Sequence, residues 1–256
     1  MGFKDFYTRI VNRFSDAPDR FELTVKEVYT AILPKGATAF DLGAHKGKHT
    51  LPLAEAVGPT GCVYAFEPIY EKFRILIDNI EAAGLTQVRS FNVCCFNENK
   101  IVSFTYLPTD PGKSSIHIRK SLEGEEVEKV DQACLAIRLD DFIDAAVRPA
   151  FMKIDIEGAE LAALEGARAL IERARPVLHL EIGGPTLKAF GARPADLYAY
   201  LKDASYDLVD ILGNPLPALD AYLESVNTAG VYDYIAIPEN DARAAAVSRA
   251  CARMWA

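Results

Sequence analysis

The side chains best suited to chemistry in this chain gather in three stretches. The first, Asp41-Leu42-Gly43-Ala44-His45-Lys46-Gly47, holds two glycines that let the backbone turn sharply and come close to a ligand. A helix that follows such a turn presents its N–H groups to an anion. The second is Glu67, which stands 26 residues beyond Asp41 and can accept hydrogen bonds from both hydroxyls of a ribose. Together these make a nucleotide-site layout. Positions 43–47 read G-A-H-K-G and not G-x-G-x-x-G, so a nicotinamide dinucleotide is not the natural ligand. The third stretch supplies carboxylates: Asp155 and Glu157, with Glu181 farther on. Beside a nucleotide, one of them can act as general base toward a hydroxyl, or Asp155 and Glu181 can hold a hard divalent cation such as Mg²⁺ through oxygen ligands; the base is the expectation. Asp155, Glu157 and Glu160 have a plainer reading as acids that suit the start of a helix, and for Glu157 and Glu160 that reading is preferred.

Other polar residues weigh less. His45 and His49 are four apart, but Lys46 and Lys48 beside them repel a cation, so no metal site is expected there. His179, between Leu178 and Leu180, reads as a core residue. Gly112-Lys113-Ser114 resembles the end of a P-loop, yet Leu107 stands where the first glycine belongs. Asp140 and Asp141 read as caps of a short helix.

The elements that must position these groups follow from hydrophobic spacing. Residues 21–33 read as a leading helix stopped by Pro34-Lys35-Gly36. Then come a strand at 37–42 ending at the glycine turn, a helix to Val57, a strand at 62–66 ending at Glu67, a helix closed by Gly84, and a third strand over about 87–96. Residues 101–107 read as an edge strand and 133–139 as another, with the polar segment 108–126 between them as a loop. That segment, with His117, Ser114, Ser115 and Arg119 able to reach a substrate, is expected to be a mobile lid. Alternation resumes with strand 150–156, helix 159–173, strand 177–182 and helix 194–204. Two final strands, 206–212 and 231–237, show no helical pattern between them and should pair as an antiparallel hairpin, before a terminal helix over 241–256. Strands alternating with helices imply an α/β protein with a mostly parallel, doubly wound sheet. Asp155 and Glu181 then end the fourth and fifth strands, on the rim where such sheets bind ligands.

Composition narrows the function classes. With 28 basic and 36 acidic side chains the formal charge is −8, which argues against nucleic-acid binding by broad phosphate neutralisation. The longest uncharged run, 56–66, has 11 residues and cannot span a membrane. Five cysteines without a C-x-x-C pair suggest neither a disulfide framework nor a zinc ribbon, and Cys94 and Cys95 read as strand residues. A cytoplasmic protein without nucleic-acid or membrane partners is expected; its oligomeric state is open.

The motifs also occur in a familiar order. Residues 41–47, Phe66-Glu67-Pro68, Arg138-Leu139-Asp140-Asp141-Phe142, Lys153-Ile154-Asp155-Ile156-Glu157-Gly158-Ala159-Glu160 and Leu180-Glu181-Ile182 resemble the successive motifs of FkbM-type S-adenosylmethionine-dependent methyltransferases, with His45 where that family commonly has Asn. The resemblance covers about 34–238. It implies a class I methyltransferase, Rossmann-like fold with a seven-stranded sheet whose last strand is antiparallel, and O-methylation of a hydroxyl on a sugar, natural product or other small-molecule acceptor. It implies that Asp41, Gly43, His45 and Gly47 surround the methionine part of the cofactor, that Glu67 holds its ribose and that Asn92 lies near the adenine. The division expected is one methyltransferase domain over 1–256, with an N-terminal helical extension (1–33), a catalytic core (34–238) and a C-terminal helix (239–256). The competing reading is a catalytically silent nucleotide-binding module that engages a partner through 108–126.

Overall fold

The computed structural model describes residues 17–106, 130–227 and 231–255. The expected lid over 108–126, with His117, Ser114, Ser115 and Arg119, lies outside the described residues.

The first helix, α1 (Ala17–Ile32), buries Phe21, Val25, Val28, Tyr29 and Ile32 at the three-and-four spacing of an amphipathic helix. It is followed by β1 (Thr38–Leu42), α2 (Thr50–Val57), β2 (Cys62–Phe66), α3 (Tyr70–Ala82) and β3 (Val88–Phe91). The chain then builds a small second sheet from β4 (Cys94–Cys95), β5 (Lys100–Tyr106) and β6 (Val130–Ile137), in the order β4-β6-β5. Next come α4 (Leu139–Phe142), β7 (Pro149–Ile154), α5 (Glu160–Gly166), α6 (Arg168–Ala174), β8 (Val177–Glu181), α7 (Gly184–Ala189), α8 (Pro194–Asp203), β9 (Tyr206–Asp210), α9 (Leu219–Val226), β10 (Asp233–Pro238) and α10 (Ala244–Trp255).

The main sheet has seven strands in the order β3-β2-β1-β7-β8-β10-β9. All neighbours are parallel except β10, which runs antiparallel to both β8 and β9. The chain moves outward from β1 to β3, returns to β7 and moves outward again. The two halves diverge between β1 and β7, where a parallel sheet opens a crevice at its carboxyl ends. Central strands such as β1 and β8 are buried nearly throughout, as strands covered on both faces must be. The end helices pack on each other: Arg20 Nη1 donates to Met254 O at 2.9 Å, and the Phe21 and Trp255 rings lie 5.2 Å apart. Among the described residues, no helix is long and apolar enough to cross a membrane.

Four expectations need correction. The last two strands do pair antiparallel, but α9 stands between them in the chain. Its periodicity was hard to read because it has only 8 residues, and packing anchors it: Tyr222 is fully buried, its ring 5.3 Å from that of Tyr198 on α8. The third strand divides at Asn92, whose side-chain amide donates to Glu67 O at 2.8 Å and to Pro68 O at 3.0 Å, so its two halves join different sheets. The helix expected over 159–173 breaks at Ala167, and Asp140 supplies the new start by accepting from the Ala169 and Leu170 amides at 2.9 and 2.8 Å. Asp140 thus caps α6 across space and not a helix of its own. The short helix α7 was not expected.

Candidate active site

Parallel pairing arranges polar residues in rows. Asp41 on β1 is opposite Lys153 on β7, and Lys153 is opposite His179 on β8. Side chains on a strand alternate between faces, so Asp155, two residues after Lys153, and Glu181, two after His179, form the next row on the same side. Asp233 on β10 continues it opposite Glu181.

The Lys153 ammonium is buried between two carboxylates, 2.9 Å from Asp155 Oδ2 and 3.6 Å from Asp41 Oδ1. The other Asp41 oxygen accepts from the Thr50 hydroxyl at 2.6 Å, while Oδ1 is buried without a hydrogen-bond partner. Burial opposes a charged Lys153, but Asp155 and Asp41 overcome it and raise its pKa. Burial likewise opposes the Asp155 carboxylate, yet Lys153 and a hydrogen bond with Glu181 hold it well below the usual range. The Asp155 charge, then burial and the shared hydrogen bond, push Glu181 up to about 10. At neutral pH the pair therefore keeps one proton on Glu181 and one charge on Asp155. His179 bonds Asp233 Oδ1 through Nε2 at 2.8 Å behind them.

A cavity of about 360 Å³ opens over this row, in the crevice between β1 and β7. Asp41, Gly43, His45, Glu67, Asp155 and Glu181 all line it. Gly43 has φ +81°, and a Cβ on it would lie 1.8 Å from the Asp155 carbonyl oxygen, so only glycine lets these two strand ends come so close. Glu67 is buried, accepting from the His45 amide at 2.7 Å and the Ile69 amide at 2.8 Å. Burial pushes its carboxyl up to about 7 although both amides act against it. Each of its oxygens keeps a lone pair for a further donor.

Two expected residues stand elsewhere. Gly47 does not line the cavity; it has φ +93° and packs under Leu51 and Leu76. Asn92 lies outside it too, pinning the backbone behind Glu67, while Val93, Cys94 and Cys95 form the wall. Sequence reasoning missed Lys153, whose signal was a lone cation inside an apolar strand. It also missed Glu22 and weighed His49 only as a metal ligand; the two line the cavity from α1 and the end of the glycine turn and lie 2.5 Å apart. The bond to His49 and one from Lys48 overcome burial and lower Glu22 to about 2.

The donor set suits S-adenosylmethionine: Asp41 at the β1 end for a cationic amino-acid portion, Glu67 for a ribose, and Phe66, Ile69 and Val93 as apolar walls for a base. It does not suit Mg²⁺. Asp155 and Glu181 share a proton and Lys153 occupies Asp155 Oδ2, so the pair considered as metal ligands is already satisfied. Among the described residues no group of three or more His, Cys, Asp or Glu side chains could hold a metal ion.

No curated protein matches the sequence closely enough to count as a relative. Among solved structures, the chain is similar to a methyltransferase FkbM from Methylobacillus flagellatus KT at 18% identity, covering 81% of this chain and 47% of that one, with a TM-score of 0.48. It therefore spans about half the length of that protein. A candidate rRNA methylase from Clostridium thermocellum superposes with a TM-score of 0.51 at 11% identity, over 85% of this chain and 95% of that one. A SAM-dependent methyltransferase from Aquifex aeolicus gives 0.46 at 17% identity, over 90% and 96%. The model of the methyltransferase FkbM domain matches residues 41–208, more than half of the sequence, and the protein belongs to that family of S-adenosylmethionine-dependent methyltransferases.

Proposed function

We propose that the protein transfers a methyl group from S-adenosylmethionine to a hydroxyl of a small-molecule acceptor, with Asp155 as the catalytic carboxylate and Glu181 supporting it. The observation that carries this reading is the carboxyl pair Asp155 and Glu181, with the Lys153 ammonium 2.9 Å from Asp155 Oδ2, on the rim of a nucleotide-sized cavity that also holds Glu67. Asp41, Gly43 and His45 would surround the methionine portion and Glu67 the ribose; Gly47 and Asn92 would shape the turn and the wall from behind. When bound, the cofactor supplies a methyl group on a sulfonium, open to in-line attack.

The chain's own part is alignment and charge. Asp155, kept ionised by Lys153, accepts a hydrogen bond from the acceptor hydroxyl and so fixes the direction of its lone pairs. As that oxygen becomes positive, the carboxylate stabilises it and then takes its proton. A carboxylate held so acidic is a poor base toward a free alcohol, so proton transfer follows carbon–oxygen bond formation. We read 34–238 as the catalytic core of one domain, with 1–33 and 239–256 as flanking helical pieces; one buried cluster that includes both Phe21 and Cys251 supports this.

The test is formation of S-adenosylhomocysteine and an O-methyl product with a panel of hydroxyl acceptors. Turnover that is lost in Asp155→Asn supports the reading. Tight cofactor binding with no transfer to any acceptor would favour the silent module.

A further inference from the structure

Helix α1 lies outside the 41–208 segment that the family model matches, yet it reaches the first cavity. Glu22 on α1 lines that cavity together with Lys48 and His49 from the end of the glycine turn. Its two oxygens are shared out: Oε1 lies 2.9 Å from the Lys48 ammonium and Oε2 2.5 Å from His49 Nε2. Against burial, those two bonds keep Glu22 ionised at neutral pH. Its place is fixed from behind as well, since Phe21, the residue before it, is buried with its ring 5.2 Å from that of Trp255 on α10.

The sheet order says which part of a nucleoside ligand meets this wall. Glu67 follows β2, and the apolar walls Phe66, Ile69 and Val93 lie at its end and toward β3, so a ribose and base take that side. Asp155 and Glu181 stand at the ends of β7 and β8, where the reacting carbon must lie. The remaining arm of the cofactor, its amino-acid end, falls to the side covered by α1 and α2, which pack on each other. That end is a zwitterion, with one ammonium and one carboxylate on the same carbon. Glu22 and Lys48 offer one charge of each sign side by side, and their side chains are 39% and 63% exposed. An exposed ion pair contributes little to stability, so opening it to admit a ligand costs little, whereas a buried pair such as Lys153 and Asp155 resists exchange. Asp41, whose Oδ1 is buried without a hydrogen-bond partner, adds a second acceptor for the ammonium.

We propose that α1 completes the cofactor site: Glu22 takes the ammonium and Lys48 the carboxylate of the amino-acid end of S-adenosylmethionine, with His49 holding Glu22 in position. The inference rests on the reading above that the cofactor lies in this cavity with its ribose on Glu67, and it does not depend on which atom of the acceptor is methylated. It gives the leading helix a part in binding besides its packing.

The experiment is calorimetric titration of the full chain with three nucleosides that differ only in what the sulfur carries. S-adenosylhomocysteine has both charges, S-adenosyl-3-thiopropylamine keeps the amine without the carboxylate, and 5′-methylthioadenosine has neither. Glu22→Gln should lower affinity for the first two by about fivefold or more and leave that for 5′-methylthioadenosine within about twofold. Lys48→Met should lower affinity for S-adenosylhomocysteine by about fivefold or more and spare the other two, and it serves if Glu22→Gln fails to fold. Unchanged affinity for S-adenosylhomocysteine in both variants would overturn the proposal. Equal losses for all three ligands would overturn it too, because the damage then lies in the cavity and not at the amino-acid end. Glu67→Ala should weaken all three alike; if it does not while Glu22→Gln stays selective, the ribose assignment falls and the role of α1 stands. Failure of the wild type to bind any of the three would overturn both.

Discussion

Lys153→Met keeps the length of the side chain and removes the ammonium that sits between Asp41 and Asp155. In the wild type that nitrogen is buried, 2.9 Å from one carboxylate and 3.6 Å from the other. Breaking a buried ion pair from one side leaves the remaining charge without compensation, at a cost of about 3–5 kcal/mol. That is a large part of the roughly 5–15 kcal/mol that stabilises an ordinary domain. The loss should also depend on pH, with a sign that follows from the carboxylates. In the wild type Asp155 lies below its unfolded pKa, so its contribution is present above about pH 4 and is lost as the pH falls through the folded value. Without Lys153 burial outweighs the hydrogen bond with Glu181 that still favours the Asp155 charge, and its folded pKa rises above the unfolded one. The variant then takes up one proton more on folding than the wild type does, so as the pH falls from 8 toward about 5 it gains stability more steeply than the wild type, in which protonated Glu181 already gives a slope of the same sign. Lys153 itself adds no slope in this window, because its raised pKa keeps it charged throughout. Urea denaturation at several pH values, with turnover measured alongside, reads both effects. A destabilisation below about 1 kcal/mol, equal at all pH values, would refute the view that Lys153 holds the Asp155 charge.

Other substitutions separate binding from chemistry. Asp155→Asn should leave cofactor affinity intact and lower turnover by about 10²-fold or more, whereas a residue that only caps a helix would tolerate the amide with near wild-type turnover. Because Asp155 and Glu181 satisfy each other, wild-type turnover should be indifferent to EDTA and to added Mg²⁺; activity that falls with the chelator and returns with the metal would overturn that geometry. Glu67→Ala should lose charge-assisted hydrogen bonds worth roughly 1.5–3 kcal/mol, about tenfold or more in cofactor affinity, and an unchanged calorimetric affinity would remove Glu67 from the ribose site. Gly43→Ala places a methyl group 1.8 Å from the Asp155 carbonyl oxygen at φ +81°, so a protein as stable as the wild type in a thermal melt would contradict the close approach of β1 and β7.

The order of elements was legible in the sequence because it is a local property. Runs such as 62–66 and 177–182 are short and apolar enough to be buried parallel strands, and Gly43, Glu67, Asp155 and Glu181 stand at their ends by count alone. That was sufficient to gather the cofactor and carboxylate candidates on one rim, and the family motifs agree with it. What spacing could not supply is pairing across strands. In the sequence Lys153 is only the first residue of the 153–160 motif; strand register sets it between Asp41 and His179, and that neighbour favours the charge on Asp155 over Glu181. Asn92 and Gly47 carry the right residue types near the site, yet one turns back to tie the backbone behind Glu67 and the other packs beneath the turn. Glu160 reads as an ordinary acid at the start of a helix, and only the fold shows it buried, with Oε1 accepting from the Gly158 amide at 2.9 Å and Oε2 without a hydrogen-bond partner. Side-chain periodicity tells which face a residue takes; which groups share that face, and so how their charges settle, is decided when strands distant in sequence come to lie side by side.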